Sequence, residues 1–206
     1  MTDKSDAQKP DSLSDFLRKI FKNVLNPIGS FLNKLGITPN MMTLLGLVGN
    51  IFAAVFLTNG KFVTGGIIIL ALGPFDALDG TMARLRGEPT RFGGFVDSVT
   101  DRYSELFILG GVLIYFLHQQ NDTAVILTYL SAAGSVLVSY IRARAESLGF
   151  DAKVGLMTRV ERVIILSVFF ILNLPEVALW ILAIFTNFTA LQRIWHVRKL
   201  AIASQK

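Results

Sequence analysis

The sequence contains no cysteine, which excludes disulfides and thiolate metal sites. It has only two histidines, and His118 and His196 lie too far apart to show ligand spacing. Any metal must therefore be held by oxygen, which suits hard cations such as Mg²⁺ or Mn²⁺. Charge is also scarce: 17% of residues are charged against 52% hydrophobic. That balance is too apolar for an ordinary soluble domain and fits a polytopic membrane protein. Residues 1–15 are polar and lack the apolar stretch of a cleavable signal peptide. The net charge is +5, yet no soluble basic domain exists to grip nucleic acid.

Residues 1–12 are polar and expected to be a disordered tail. Residues 13–35 read as an amphipathic helix interrupted near Pro27. Leu13, Phe16, Leu17, Ile20, Phe21 and Val24 form its apolar stripe, opposed by Arg18, Lys19 and Lys22. Such a helix either lies in the membrane surface against anionic headgroups or packs on its own protein. Residues 36–200 hold six apolar spans, near 40–59, 62–83, 94–117, 123–145, 160–173 and 176–195. The expected fold is an all-α integral membrane protein, with six transmembrane helices preceded by an amphipathic juxtamembrane helix. Gly73-Pro74 marks a possible kink in the second span.

Three connections are short turns on one side: Asn59-Gly60, His118 to Asp122, and Asn173 to Glu176. Lys61 is the only lysine or arginine among them. The other connections are basic, with Arg84, Arg86 and Arg91, then Arg142, Arg144, Lys153, Arg159 and Arg162, then Arg193, Arg198 and Lys199. The positive-inside rule puts this basic side, and both termini, in the cytoplasm of a multi-pass cell-membrane protein.

Four aspartates stand at the cytoplasmic ends of spans two and three. Their segment reads Asp76-Ala-Leu-Asp79-Gly80-Thr-Met-Ala83-Arg84, and later Gly93-Gly-Phe-Val-Asp97-Ser-Val-Thr-Asp101. An ionised carboxylate in hydrocarbon is costly, so such groups face a polar cavity, pair, or bind metal. On a helix, Asp76, Asp79, Gly80, Ala83 and Arg84 fall within one arc of roughly 140°. Gly93, Asp97 and Asp101 step by four along one stripe. Two helices facing each other would bring all four carboxylates together. Gly80, Ala83 and Gly93 leave space there for close helix approach or a flat ligand. Any single aspartate is equally well explained as a cap or an ion-pair partner, Asp101 to Arg102 or Asp97 to Arg91. The four together point to a divalent-cation site. With Arg84 in reach of a phosphate, they suggest metal-assisted phosphoryl chemistry. A cation transporter or channel is the alternative from a different class, although the acids cluster on one face and no internal repeat is visible.

The pattern D-x-x-D-G-x-x-A-R-(x)8-G-x-x-x-D-x-x-x-D resembles the signature of the CDP-alcohol phosphotransferases, also called phosphatidyltransferases, and every fixed position is present. The resemblance implies that a CDP-linked lipid gives its phosphatidyl group to a hydroxyl and releases CMP. It implies Asp76, Asp79, Asp97 and Asp101 as ligands of two Mg²⁺ or Mn²⁺ ions, with Asp101 also the general base. It implies Gly80, Ala83, Arg84, Thr90 and the stretch Pro39-Asn40-Met41-Met42 as contacts of the CDP-lipid. Read from helix physics alone, Thr90 is simply a loop or cap residue. A homodimer is implied too, for which Gly110-Gly111 and Ala132-Ala133-Gly134 offer small-residue faces.

The acceptor alcohol is suggested by a later segment. Ser139-Tyr-Ile-Arg142-Ala-Arg144-Ala-Glu146, followed by Thr158-Arg159-Val-Glu161-Arg162, resembles the subgroup that makes phosphatidylinositol phosphate and its archaeal-lipid counterpart. Thr158 stands where that subgroup carries glutamate. Ser139, Arg142, Arg144 and Arg162, with Arg193 as a further contact, would then form a pocket for the phosphate of inositol 1-phosphate or a similar phosphorylated polyol. Glycerol 3-phosphate, the acceptor of a phosphatidylglycerophosphate synthase, fits the same pocket. The simpler explanation is that these arginines are topology determinants at the interface.

Overall fold

The computed structural model describes the backbone of residues 13–87 and 90–204, with side chains from Val24 onward. The expected tail, 1–12, and the side chains of the stripe from Leu13 to Phe21 lie outside the described residues. Among the described residues the regular structure is helical throughout: α1 (Leu13–Lys34), α2 (Pro39–Thr58), α3 (Phe62–Leu85), α4 (Arg91–His118), α5 (Asp122–Ser147), α6 (Arg159–Ile171) and α7 (Pro175–Ala203).

Local chemistry sets the helix ends. Thr38 caps α2 by accepting the Met41 N–H at 3.3 Å, and Pro39 occupies the first turn, where a missing N–H costs nothing. Asn121 caps α5 through the Ala124 N–H at 3.0 Å. The three short turns each contain one residue of positive φ: Gly60 at 72°, Gln120 at 54° and Asn173 at 56°. That left-handed step reverses the chain within a few residues.

Pro27 does not interrupt α1, contrary to expectation; it lies inside the helix on an exposed face. Proline removes one backbone hydrogen bond from the helix interior. α3 likewise runs through Gly73-Pro74.

Six helices close a ring. α2 packs on α3 and α4, α4 on α5, α5 on α7, α7 on α6, and α6 back on α3. α1 lies outside the ring against α3. The main core fills the end bearing the short turns, with Leu57, Leu109, Leu166, Phe170 and Leu179 fully buried. Phe62 sits within it, 4.9 Å from Tyr115 and 5.4 Å from Phe170 between ring centres. A second cluster, Leu25, Met42, Leu78 and Met82, binds α1 to α2 and α3. The opposite face of α1 exposes Val24, Ile28, Phe31 and Leu35. α1 therefore packs on its own protein with one face and presents an apolar stripe with the other.

By length and composition α2, α3, α5 and α7 can each cross a membrane. α4 is long enough but carries Asp97, Asp101, Arg102 and Glu105 along its first fifteen residues. α6 has only 13 residues, about 20 Å of helix against a hydrocarbon core of about 30 Å.

Close packing replaces the hydrophobic effect where helices meet in lipid. A side chain added at Gly111 would stand 2.5 Å from the Ala54 carbonyl oxygen, and one at Gly66 would stand 2.9 Å from Ser167 O. Gly134 is similarly pressed against Thr186 and Asn187. Gly111 and Gly134, two of the small residues considered for a dimer face, are thus used inside the bundle, whereas Gly110 has open space. Gly111→Ala should lower stability by about 1–3 kcal/mol through overpacking. Gly110→Ala should leave the melting temperature unchanged or raise it through helix propensity. Thermal unfolding of both variants in detergent checks the contrast.

Candidate active site

Two helix ends meet opposite the main core: the last turns of α3 and the first turns of α4. Thr90 begins α4 by accepting the Gly93 N–H at 2.9 Å. That cap sets the register in which Asp97 and Asp101 share one face. From α3, Asp76 joins them. One carboxylate oxygen from each of Asp76, Asp97 and Asp101 lies within 4.8 Å of the other two. The donor set is all oxygen, as a hard divalent cation requires.

Asp79 stands apart from this triad. It is 5% exposed, and its Oδ2 accepts the Thr43 hydroxyl at 2.7 Å. One turn along α3 carries it toward α2 rather than across to Asp101. Three of the four aspartates are therefore gathered, and the fourth is held by a hydroxyl on α2.

Beside Asp79 and Asp97 opens a cleft of about 390 Å³. Pro39, Asn40, Gly80, Ala83, Arg84 and Thr90 all line it, as expected from the sequence. Met41 and Met42 do not: Met41 is 50% exposed, and Met42 is buried in the α1–α3 cluster. Successive helical residues point about 100° apart, so a run of four cannot face one cleft. Thr38, Thr43, Arg86 and Gly94 line it without having been anticipated. Thr38 was readable, because threonine before proline is a helix-start signal. A side chain at Gly80 would meet the Arg84 guanidinium at 3.4 Å, and one at Gly93 would meet Thr90 Oγ1 at 3.0 Å. Arg84 also donates to the Thr81 hydroxyl at 2.9 Å. Arg86 ties the cleft to α1, donating to Asn33 Oδ1 at 2.6 Å and to the Ile37 carbonyl at 2.7 Å.

Arg159 was not anticipated as part of the site. Its Nη1 lies 2.5 Å from Asp76 Oδ2 and its Nη2 lies 2.8 Å from Asp101 Oδ1. Arg102 adds a longer pair to Asp101 at 3.7 Å.

The five residues expected to hold an acceptor phosphate are divided. Ser139 is half-buried. Arg142 pairs with Glu146 at 2.9 Å, and exposed Arg144 reaches Ser147 at 3.5 Å. Arg162 is buried, donating to Glu105 Oε1 at 2.6 Å, to Glu105 Oε2 at 2.8 Å and to the Met157 carbonyl at 3.2 Å. Arg193 is buried as well, donating to the carbonyls of Val154 and Val138 at 2.8 and 2.6 Å. Arg142 and Arg162 both lie within electrostatic reach of Arg193. Three guanidiniums thus share one end of the bundle, although Arg162 and Arg193 already donate to buried protein acceptors.

The sequence profile of the CDP-alcohol phosphatidyltransferase family matches residues 36–191. The archaetidylinositol phosphate synthase of Pyrococcus horikoshii is 37% identical over 186 residues, covering 89% of this chain and 95% of that one. The phosphatidylinositol phosphate synthase of Streptomyces avermitilis is 36% identical over 203 residues, covering 91% and 83%. The crystal structure of Mycobacterium tuberculosis phosphatidylinositol phosphate synthase with CDP-DAG bound matches at a TM-score of 0.80 and 32% identity, covering 85% of this chain and 94% of that one. The same synthase in complex with manganese and citrate also matches at 0.80, with 33% identity and coverage of 84% and 88%.

The buried Arg162–Glu105 pair gives a test of local architecture. Glu105→Ala strands a buried guanidinium and should destabilise the protein by about 3–5 kcal/mol. Replacing both partners by apolar residues, Glu105→Leu with Arg162→Met, should recover most of that loss. Chemical or thermal unfolding of the single and double variants measures the difference.

Proposed function

The chain belongs to the CDP-alcohol phosphatidyltransferase family, and from that premise we propose that it transfers a phosphatidyl-type group from CDP-diacylglycerol, or an analogous CDP-lipid, to a hydroxyl of inositol 1-phosphate. The products are the phosphoinositol lipid and CMP. Family membership sets aside the cation-transporter reading. The observation that carries the site assignment is the convergence of Asp76, Asp97 and Asp101 beside a cleft floored by Gly80 and Gly93.

The acceptor assignment rests on the relatives. The Pyrococcus and Streptomyces synthases are named for different lipids, yet both names specify an inositol phosphate product. The guanidiniums of Arg142, Arg162 and Arg193 at one end of the bundle supply positive charge for the acceptor's phosphate. Ser139 and Arg144, on the same stretch of α5, complete the candidate contacts.

Asp76, Asp79, Asp97 and Asp101 would hold two Mg²⁺ or Mn²⁺ ions. Bound there, the ions neutralise the diphosphate and the charge developing on the leaving CMP. The protein supplies the rest. Pro39, Asn40, Ala83, Arg84 and Thr90 flank the nucleotide, and Gly80 and Gly93 let it approach the backbone. The acceptor hydroxyl oxygen attacks the β-phosphorus of the CDP-lipid and gives its proton to Asp101. A new P–O bond forms, and the bond to the bridging oxygen breaks with its electron pair leaving on CMP.

The six ring helices form six membrane segments in this reading, with the site and both termini on the cytoplasmic side. Asp97 and Asp101 of α4 face the site, and α6, too short to span the bilayer alone, crosses together with the 148–158 segment that precedes it. The outward stripe Val24, Ile28, Phe31 and Leu35 lies along the lipid interface. The active form is a homodimer.

Labelled inositol 1-phosphate should enter lipid only with both CDP-diacylglycerol and Mg²⁺ present. Turnover of glycerol 3-phosphate without inositol phosphate would overturn the acceptor assignment and leave the family untouched. Asp101→Asn should lower kcat by about 10²- to 10⁴-fold, as loss of a general base does, and should also raise the KM for CDP-lipid, because Asp101 would help hold the ions that bind its diphosphate. Arg142→Ala should raise the KM for inositol phosphate far more than that for CDP-lipid.

A further inference from the structure

Resting on that reading, we propose that Arg159 is a displaceable counter-cation of the metal site, a positioning residue that holds Asp76 and Asp101 together and yields its place when a divalent ion arrives. Two nitrogens of one guanidinium take two carboxylates from different helices, Asp76 on α3 at 2.5 Å and Asp101 on α4 at 2.8 Å. These are two of the three carboxylates whose oxygens converge within 4.8 Å. Three negative charges so close repel one another strongly where water is sparse. A guanidinium relieves part of that repulsion without any ion.

An ion competes with it for these carboxylates. Mg²⁺ sits about 2.0–2.1 Å from its oxygens, and a doubly charged ion among the three acids repels the guanidinium that now forks two of them. Behind Asp76, Asp101 and Arg159 the cavity is only about 20 Å³, room for about one water. The side chain must therefore leave toward the open side.

α6 is built for one arginine to stay and the other to move. Arg159 and Arg162 stand three apart on α6, and they meet Asp101 and Glu105, four apart on α4. The Arg162 side chain is 2% exposed, whereas that of Arg159 is 28% exposed and opens the helix. The buried fork anchors the helix while the rim residue swings. Until it swings, Asp101 Oδ1 is engaged by Arg159. By mass action, occupancy of the carboxylates by Arg159 lowers the apparent affinity for metal.

The test is Mn²⁺ binding to the detergent-solubilised full chain without lipid or acceptor, read from the loss of the free Mn²⁺ paramagnetic resonance signal. Arg159→Gln should bind Mn²⁺ about tenfold more tightly than the parent. Arg159→Lys, which keeps the charge but cannot fork two carboxylates, should fall between the two. Arg102→Gln, which removes a neighbouring charge but no bridge, should change affinity by less than about twofold. In a metal chelator Arg159→Gln should melt below the parent, and Mn²⁺ should close the gap. Unchanged or weaker Mn²⁺ binding in both Arg159 variants, or an equal gain in Arg102→Gln, overturns the proposal while leaving the metal site in place. Should the glutamine variant not fold, the lysine variant decides alone. Failure of the parent to bind Mn²⁺ would overturn the metal-site reading, and this inference with it.

Discussion

Three carboxylates crowded between two helix ends are the constraint around which this molecule is arranged. Asp76, Asp97 and Asp101 bring oxygens within 4.8 Å of one another in a chain that is otherwise half hydrophobic. Such crowding is unfavourable in a poorly hydrated setting unless positive charge arrives. The neighbouring features answer that need. Arg159 forks two of the three, Arg102 approaches one, and the small residues Gly80, Ala83 and Gly93 keep a cleft open beside them. The remaining acid, Asp79, is accommodated differently, by a hydrogen bond from a hydroxyl on α2.

The ring of six helices explains how those groups are held. Its hydrophobic packing sits at the end with the tight turns, around Phe62, Leu109 and Phe170. The opposite end is left for polar work, braced by long-range bonds in addition to the small apolar cluster under α1. Arg162 to Glu105 joins α6 to α4, Arg193 joins α7 to the carbonyls of Val138 and Val154, and Arg86 joins α3 to α1. Several of the basic residues clustered at this end thus also serve as structural ties. Positive charge at this end braces the bundle and suits an anionic substrate.

Much of this was legible in the sequence because helical periodicity is strong. The aspartate spacing pointed to Asp76, Asp97 and Asp101, which converge, although it grouped Asp79 with them and the structure turns that residue to Thr43; the six apolar stretches became α2 to α7 with shifts of a few residues. α7 ran further than hydropathy suggested, to Ala203, because its charged last turns remain good helix formers. What could not be read were contacts between distant segments. Nothing local says that Arg162 will meet Glu105, or that Arg159 will reach past it to Asp76, since both depend on where the 148–158 loop delivers α6. Met41 and Met42 were assigned to the cleft as part of a continuous stretch, yet a helix turns adjacent residues to different sides. Pro27 was given the weight of a helix breaker, yet on an exposed face it breaks only one bond.

The central claim is that the convergent carboxylates are a metal site serving a nucleotide-linked lipid. The most direct measurement is anomalous diffraction at the manganese edge from crystals grown with Mn²⁺ and CMP. The account predicts a strong peak among the oxygens of Asp76, Asp97 and Asp101, with the Arg159 side chain withdrawn and the nucleotide along Gly80 and Gly93. Manganese bound elsewhere, with both carboxylates still forked by Arg159, would contradict it.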